Sequence, residues 1–180
     1  MSKPGQFTPE NMIKGRIAEA IIEELLKASG NDVYRFGYES ILQNLVQRGS
    51  NFDHRNKNAH QVKSIPDFVV LNAEGNNFFL EVKFRARPEW LLRDPFLRRV
   101  TEYWQPKLIL VTVTKPYFRI VTPESLLDER CSYESLETDP DFHITRPALE
   151  SFEPLVERFL VNGKSSANSR PAQECREVKV

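Results

Sequence analysis

Three charged residues stand inside two otherwise apolar runs of this chain. Asp67 opens the run IPDFVVL (65–71), and Glu81 and Lys83 interrupt FFLEVKF (78–84). The runs are separated by the turn-rich NAEGNN, which predicts two strands joined as a hairpin. Side chains alternate along a strand, so Phe79, Glu81 and Lys83 share one face and Phe78, Leu80, Val82 and Phe84 the other. A carboxylate and an ammonium on a partly buried face cost several kcal/mol unless they pair or bind an ion. Asp67 and Glu81 converge at the same end of such a hairpin. Two carboxylates without His or Cys in register select a hard cation, Mg²⁺ or Mn²⁺. Such an ion polarises a phosphoryl oxygen and acidifies a bound water. A neighbouring lysine can orient or deprotonate that water, or neutralise transition-state charge. The chemistry is metal-assisted hydrolysis of a phosphodiester.

The elements around the hairpin must position these groups. Thr8-Pro9-Glu10 predicts a helix start, and Gly30 a stop near Ser29. On a helical wheel Ile17, Ala18, Ile21, Ile22, Leu25, Leu26 and Ala28 form one broad arc. Glu19 falls on its border and is the acid best placed to look inward; Glu23 and Lys27 lie further out, in solvent. DVYRFGY (32–38) reads as a strand and SILQNLV (40–46) as a short helix. The polar stretch 50–64 reads as a loop carrying Arg55, Lys57, Lys63, His54 and His60. Loops of that length in compact domains tend to be functional or disordered. His54 and His60 match no standard metal-ligand spacing, so a basic loop contacting a polyanion is the preferred reading. Asp94-Pro95 predicts a second helix bearing Arg98 and Arg99. KLILVTVT (107–114) has the continuous apolar pattern of a strand buried on both faces, followed by YFRIVT (117–122) as its neighbour. Thr122-Pro123-Glu124 opens a short helix, 131–146 is acidic and irregular, and Pro147–Val161 forms a last amphipathic helix. The expected architecture is α/β, a mixed central β-sheet flanked by helices.

The chain has 180 residues, 40% hydrophobic and 28% charged, as expected of a soluble globular protein. A single domain over 1–162 is expected, its core at about 8–122, with a C-terminal helical and acidic extension (123–162) and a disordered tail (163–180). No apolar run approaches the ~20 residues of a membrane span. The two cysteines, Cys131 and Cys175, form no zinc spacing, so reduced thiols and a cytoplasmic location are expected. Net charge is zero, which argues against a bulk polycation. It is unevenly distributed: residues 48–119 carry thirteen Lys and Arg against seven Asp and Glu, whereas 120–157 carry two against ten. The motif region can therefore track phosphates.

Pro66-Asp67, thirteen residues, then Glu81-Val82-Lys83 resembles the signature of the PD-(D/E)XK nuclease superfamily, which includes restriction endonucleases and archaeal-type Holliday-junction resolvases. The element order from Thr8 to Thr122 is similar to that family's restriction-endonuclease-like core (αβββαβ), over about two thirds of the chain. The resemblance implies a divalent-metal-dependent nuclease, foremost a DNA endonuclease in repair, recombination, mobile-element processing or defence. It implies that Asp67 and Glu81 bind the metal and that Lys83 assists the attacking water. Many members place a further glutamate on the first helix, a role that falls here on Glu19. The nucleic acid would be held by Arg55, Lys57, Lys63, Arg85, Arg87, Arg98 and Arg99. A homodimer is an expectation by analogy. The helix after the motif lacks the glutamine–tyrosine pair of RecB-like exonucleases, and no separate sequence-reading domain is visible. Two alternatives stand beside this reading: an inactive nucleic-acid-binding module of the same fold, and a subunit docking a protein partner through the acidic 120–157 segment.

Overall fold

The computed structural model describes residues 8–36, 61, 64–86, 95–127 and 132–162. The first helix, α1 (Pro9–Ala28), starts as the sequence predicts. The Thr8 hydroxyl accepts the Asn11 N–H at 3.2 Å, and Pro9 occupies the first helical position, where an N–H would go unused. Ser29 caps the far end, and Gly30 (φ +87°) turns the chain in the left-handed region that favours glycine. Ala18, Ile21, Ile22, Leu25 and Leu26 are buried, whereas Ala28 is exposed at the helix end.

Six strands follow: β1 (Asp32–Arg35), β2 (Phe68–Leu71), β3 (Asn77–Phe84), β4 (Lys107–Val111), β5 (Phe118–Val121) and β6 (Glu134–Ser135). They form one sheet in sequence order, antiparallel throughout except for the parallel β3–β4 pair. The crossover between those two strands carries α2 (Pro95–Trp104), as a parallel connection requires. A short α3 (Pro123–Leu127) follows β5. Beyond β6 come a 3₁₀ turn (Leu136–Thr138) and α4 (Arg146–Val156), which runs on into a π turn (Glu157–Val161). The architecture is thus mixed α/β, a six-stranded mixed sheet flanked by helices.

Each face of the sheet has its own core. On one, α1, α4 and the segment around Phe142 cover Phe68, Val70, Leu80, Val82, Ile109, Val111, Phe118 and Ile120. On the other, Leu97 of α2 and Leu126 of α3 cover Leu108, Leu110 and Val121. Leu108 to Val111 are all 0% exposed, which is why β4 is apolar without alternation. Residues 132–162 belong to the larger core, since Leu136, Phe142, Ile144, Leu149, Val156 and Leu160 are buried within it. Among the described residues no helix is long and apolar enough to cross a membrane. The end of the first strand reading (37–38), the 40–46 helix, the 50–60 loop, Asp94, Cys131 and the 163–180 tail lie outside the described residues.

Candidate active site

The hairpin that carries the three charges is held in register by its turn. Asn72 closes it on both sides: its N–H donates to the Asn76 carbonyl (3.0 Å) and its Oδ1 accepts the Asn76 N–H (2.9 Å). Gly75 supplies the positive φ (+82°) the turn needs. Phe68 lies opposite Leu80, and Asn77 opposite Leu71. One residue further, the same register sets Asp67 opposite Glu81.

Asp67 stands just beyond the last ladder pair, after Pro66, which has no N–H to offer. Its backbone carbonyl accepts from Phe36 (2.9 Å), and its Oδ2 accepts from the Val82 N–H (2.8 Å). The carboxylate thus takes the place of a strand partner for β3. It is fixed on the backbone link between Glu81 and Lys83.

Glu81 and Lys83 share the α2 face of the sheet, in register with Leu108 and Leu110. Glu81 is 1% exposed, and its Oε1 accepts a short hydrogen bond from Lys83 Nζ. Its other oxygen, Oε2, is buried with no hydrogen-bond partner. Burial pushes the Glu81 carboxyl up to about 7, against the pull of the Lys83 charge and with a further push from Asp67. Lys83 goes the other way relative to its burial: desolvation lowers its pKa, but Glu81 and Asp67 together raise it above the ordinary lysine value. It is held as an ammonium, with its Nζ 5.1 Å from the centroid of the Phe96 ring on α2.

An orphan carboxylate oxygen beside a second, anchored carboxylate suits a hard cation, and both donors are of the oxygen type that Mg²⁺ and Mn²⁺ prefer. Glu19 does not complete the set. It sits half-buried on α1, which packs on the opposite face, and its carboxylate lies 3.9 Å from the Arg35 guanidinium. No group of three or more His, Cys, Asp or Glu side chains placed to hold an ion occurs among the described residues. Arg35 also draws in Glu23 at 2.5 Å, so that acid, expected in solvent, is 15% exposed at its side chain.

Of the expected nucleic-acid contacts, Arg85 lies just past the end of β3 and is half-buried, its N–H donating to the Val111 carbonyl. Arg98 and Arg99 are exposed on α2, which covers the face of Glu81 and Lys83. Arg55, Lys57, Lys63 and Arg87 lie outside the described residues, as do His54 and His60. Beside the carboxylates, Phe36, Phe79 and Trp104 form an aromatic cluster with centroids 5.3–5.8 Å apart. The sequence signalled its members only as apolar positions. Arg119 carries the signal that singles out Glu81, one charge in an apolar run, here YFRIVT. No protein-family model, curated protein or solved structure matches this chain.

Proposed function

We propose that this chain is a divalent-metal-dependent nuclease of the PD-(D/E)XK superfamily, with DNA as its substrate and internal phosphodiesters as its target. The observation that carries the reading is the anchoring of the Asp67 carboxylate on the Val82 N–H, between a buried Glu81 with one free oxygen and the Lys83 ammonium. The hairpin followed by the β3–α2–β4 crossover supports a restriction-endonuclease-like core.

Asp67 and Glu81 would hold Mg²⁺ or Mn²⁺. When bound, the ion supplies polarisation of a phosphoryl oxygen and a more acidic water. Val82 orients Asp67 through its backbone N–H, a donor that does not depend on the Val82 side chain. Lys83, its positive charge favoured by two carboxylates, is set to neutralise charge on the phosphoryl oxygens in the transition state. To act as a base it would first have to lose their field. Arg85, Arg98 and Arg99 supply donors for flanking phosphates.

Cleavage of plasmid, branched and single-stranded DNA with Mg²⁺ or Mn²⁺ tests the assignment. Asp67→Ala and Lys83→Ala should each cut about 10²–10³-fold more slowly than wild type. Equal cutting by all three would sink it. The observation that Glu19 faces Arg35 rather than a third ligand position favours a second reading, a binding module of the same fold. That protein would bind DNA with unchanged affinity in both variants and cut none.

A further inference from the structure

Among the described residues, each half-buried lysine meets a carboxylate. Lys14 pairs with Glu10 at 2.7 Å, Lys83 with Glu81, and Lys107 with Asp139 at 2.6 Å and with Asp141. Arg119, more deeply buried than these lysines, differs. It is 7% exposed, and no carboxylate among the described residues pairs with it. Its Nε donates to the Pro116 carbonyl (3.0 Å), its Nη2 reaches the Thr114 hydroxyl (3.5 Å), and the Tyr133 ring centroid lies 4.6 Å from its Cζ. All three partners are neutral. They satisfy part of a fork of five donors and leave the charge uncompensated. A guanidinium needed only to hold the 112–117 loop could be a neutral amide.

Its position says what would compensate it. Lys83 pairs with Leu110, and Leu110 with Arg119, so Lys83 and Arg119 point to the same face of the sheet, two strands apart. At the usual strand spacing that is about 10 Å. Lys83 and Leu110 are both next to last in their strands, and the Arg119 guanidinium bonds the loop that leaves β4 at that same end. Ligands of sheets with parallel strands gather at such ends.

We infer that Arg119 binds a backbone phosphate of the nucleic-acid substrate, a contact that rests on the nuclease reading of Asp67, Glu81 and Lys83. With Lys83 and Arg119 only about 10 Å apart across the sheet, this phosphate would lie on the same nucleic-acid strand as the one at the carboxylates, within a few nucleotides of it. Arg119 and the reaction centre would then grip the same strand and set its direction across the sheet.

Fluorescence anisotropy of a labelled 20-base-pair duplex, in EDTA across a salt series, tests this on the full chain. Arg119→Gln should bind about five- to tenfold more weakly at 100 mM salt, and its slope of log K against log salt should be shallower by about 0.9, the share of one phosphate. A folded Arg119→Gln with the wild-type slope overturns the inference. Should that variant fail to fold, Arg119→Lys decides. It keeps the charge but not the fork, so it should retain the slope and lose affinity several-fold, and wild-type affinity overturns the inference. Wild type that binds and cuts while the variants match it removes only the role of Arg119. Wild type that neither binds nor cuts removes the nuclease reading as well.

Discussion

Glu81 and Lys83 are neighbours for which burial and charge pull in opposite directions. For Glu81 desolvation outweighs the lysine, so the folded protein holds a proton on this carboxyl more tightly than the unfolded chain does. The consequence for stability has a definite sign. A carboxyl raised from 4.5 to about 7 costs nothing below 4.5, and its cost grows as pH rises to about 7 and then levels off. The full cost is on the order of 3 kcal/mol. Lys83, raised above its ordinary value, contributes stability that is present below about 10.5 and lost only at higher pH, outside this window. Urea unfolding at pH 5 and pH 8 should therefore show wild type losing about 2 kcal/mol more than Glu81→Gln across the interval. Equal losses would mean that this carboxyl is not the group in tension. The same pair shows how far a sequence speaks at this scale. A charge in an apolar run betrays a site, but a wheel or an alternation pattern carries no partner. Glu19 and Glu23 were readable as border and surface acids. That Arg35 reaches back from β1 to engage both depends on how β1 lies against α1.

At the scale of elements, the caps and the hairpin were legible because their signals are local. Thr8 and Thr122 each accept an N–H three residues on, at 3.2 and 3.3 Å. β6 was not legible. Its two residues, Glu134 and Ser135, are polar and pair with β5 at the edge of the sheet, where nothing demands an apolar pattern. The hairpin also carries a dependence beyond stability. Asn72 is 7% exposed; its Oδ1 accepts Asn76, and its Nδ2 donates to the Asp141 carbonyl at 3.0 Å. Asn72→Ala removes both bonds and should cost about 2–3 kcal/mol, measured by urea unfolding. Because a one-residue slip would turn Asp67 away from Glu81, cleavage should fall further than the unfolded fraction accounts for. Activity in proportion to the folded fraction would show that the register is held elsewhere.

For the whole molecule, the acidic segment after β5 is a structural member rather than an appendage to a core ending near residue 122. Phe142 is 0% exposed and packs edge-on against Phe78 of β3, with centroids 5.7 Å apart. Five acids of this segment are ion-paired within the chain. Asp139 and Asp141 hold Lys107, Glu137 and Glu150 hold Arg146, and Glu153 holds Lys115. Three of these acids reach across to Lys107 and Lys115 of the basic stretch, which weakens the idea of an acidic arm kept free for a protein partner. Lys107 is the decisive residue. It opens β4, lies about 5 Å from the Phe78 and Phe142 ring centroids, and faces an Asp139 side chain that is 4% exposed. Lys107→Met leaves that carboxylate buried without its cation and should cost about 3–5 kcal/mol. Adding Asp139→Asn and Asp141→Asn removes the stranded charges and should recover most of the loss. Were the segment a peripheral arm, unfolding of the Lys107→Met protein would be indistinguishable from wild type. A measured loss that the added substitutions reverse would instead bind residues 132–162 to the sheet that carries Asp67, Glu81 and Lys83.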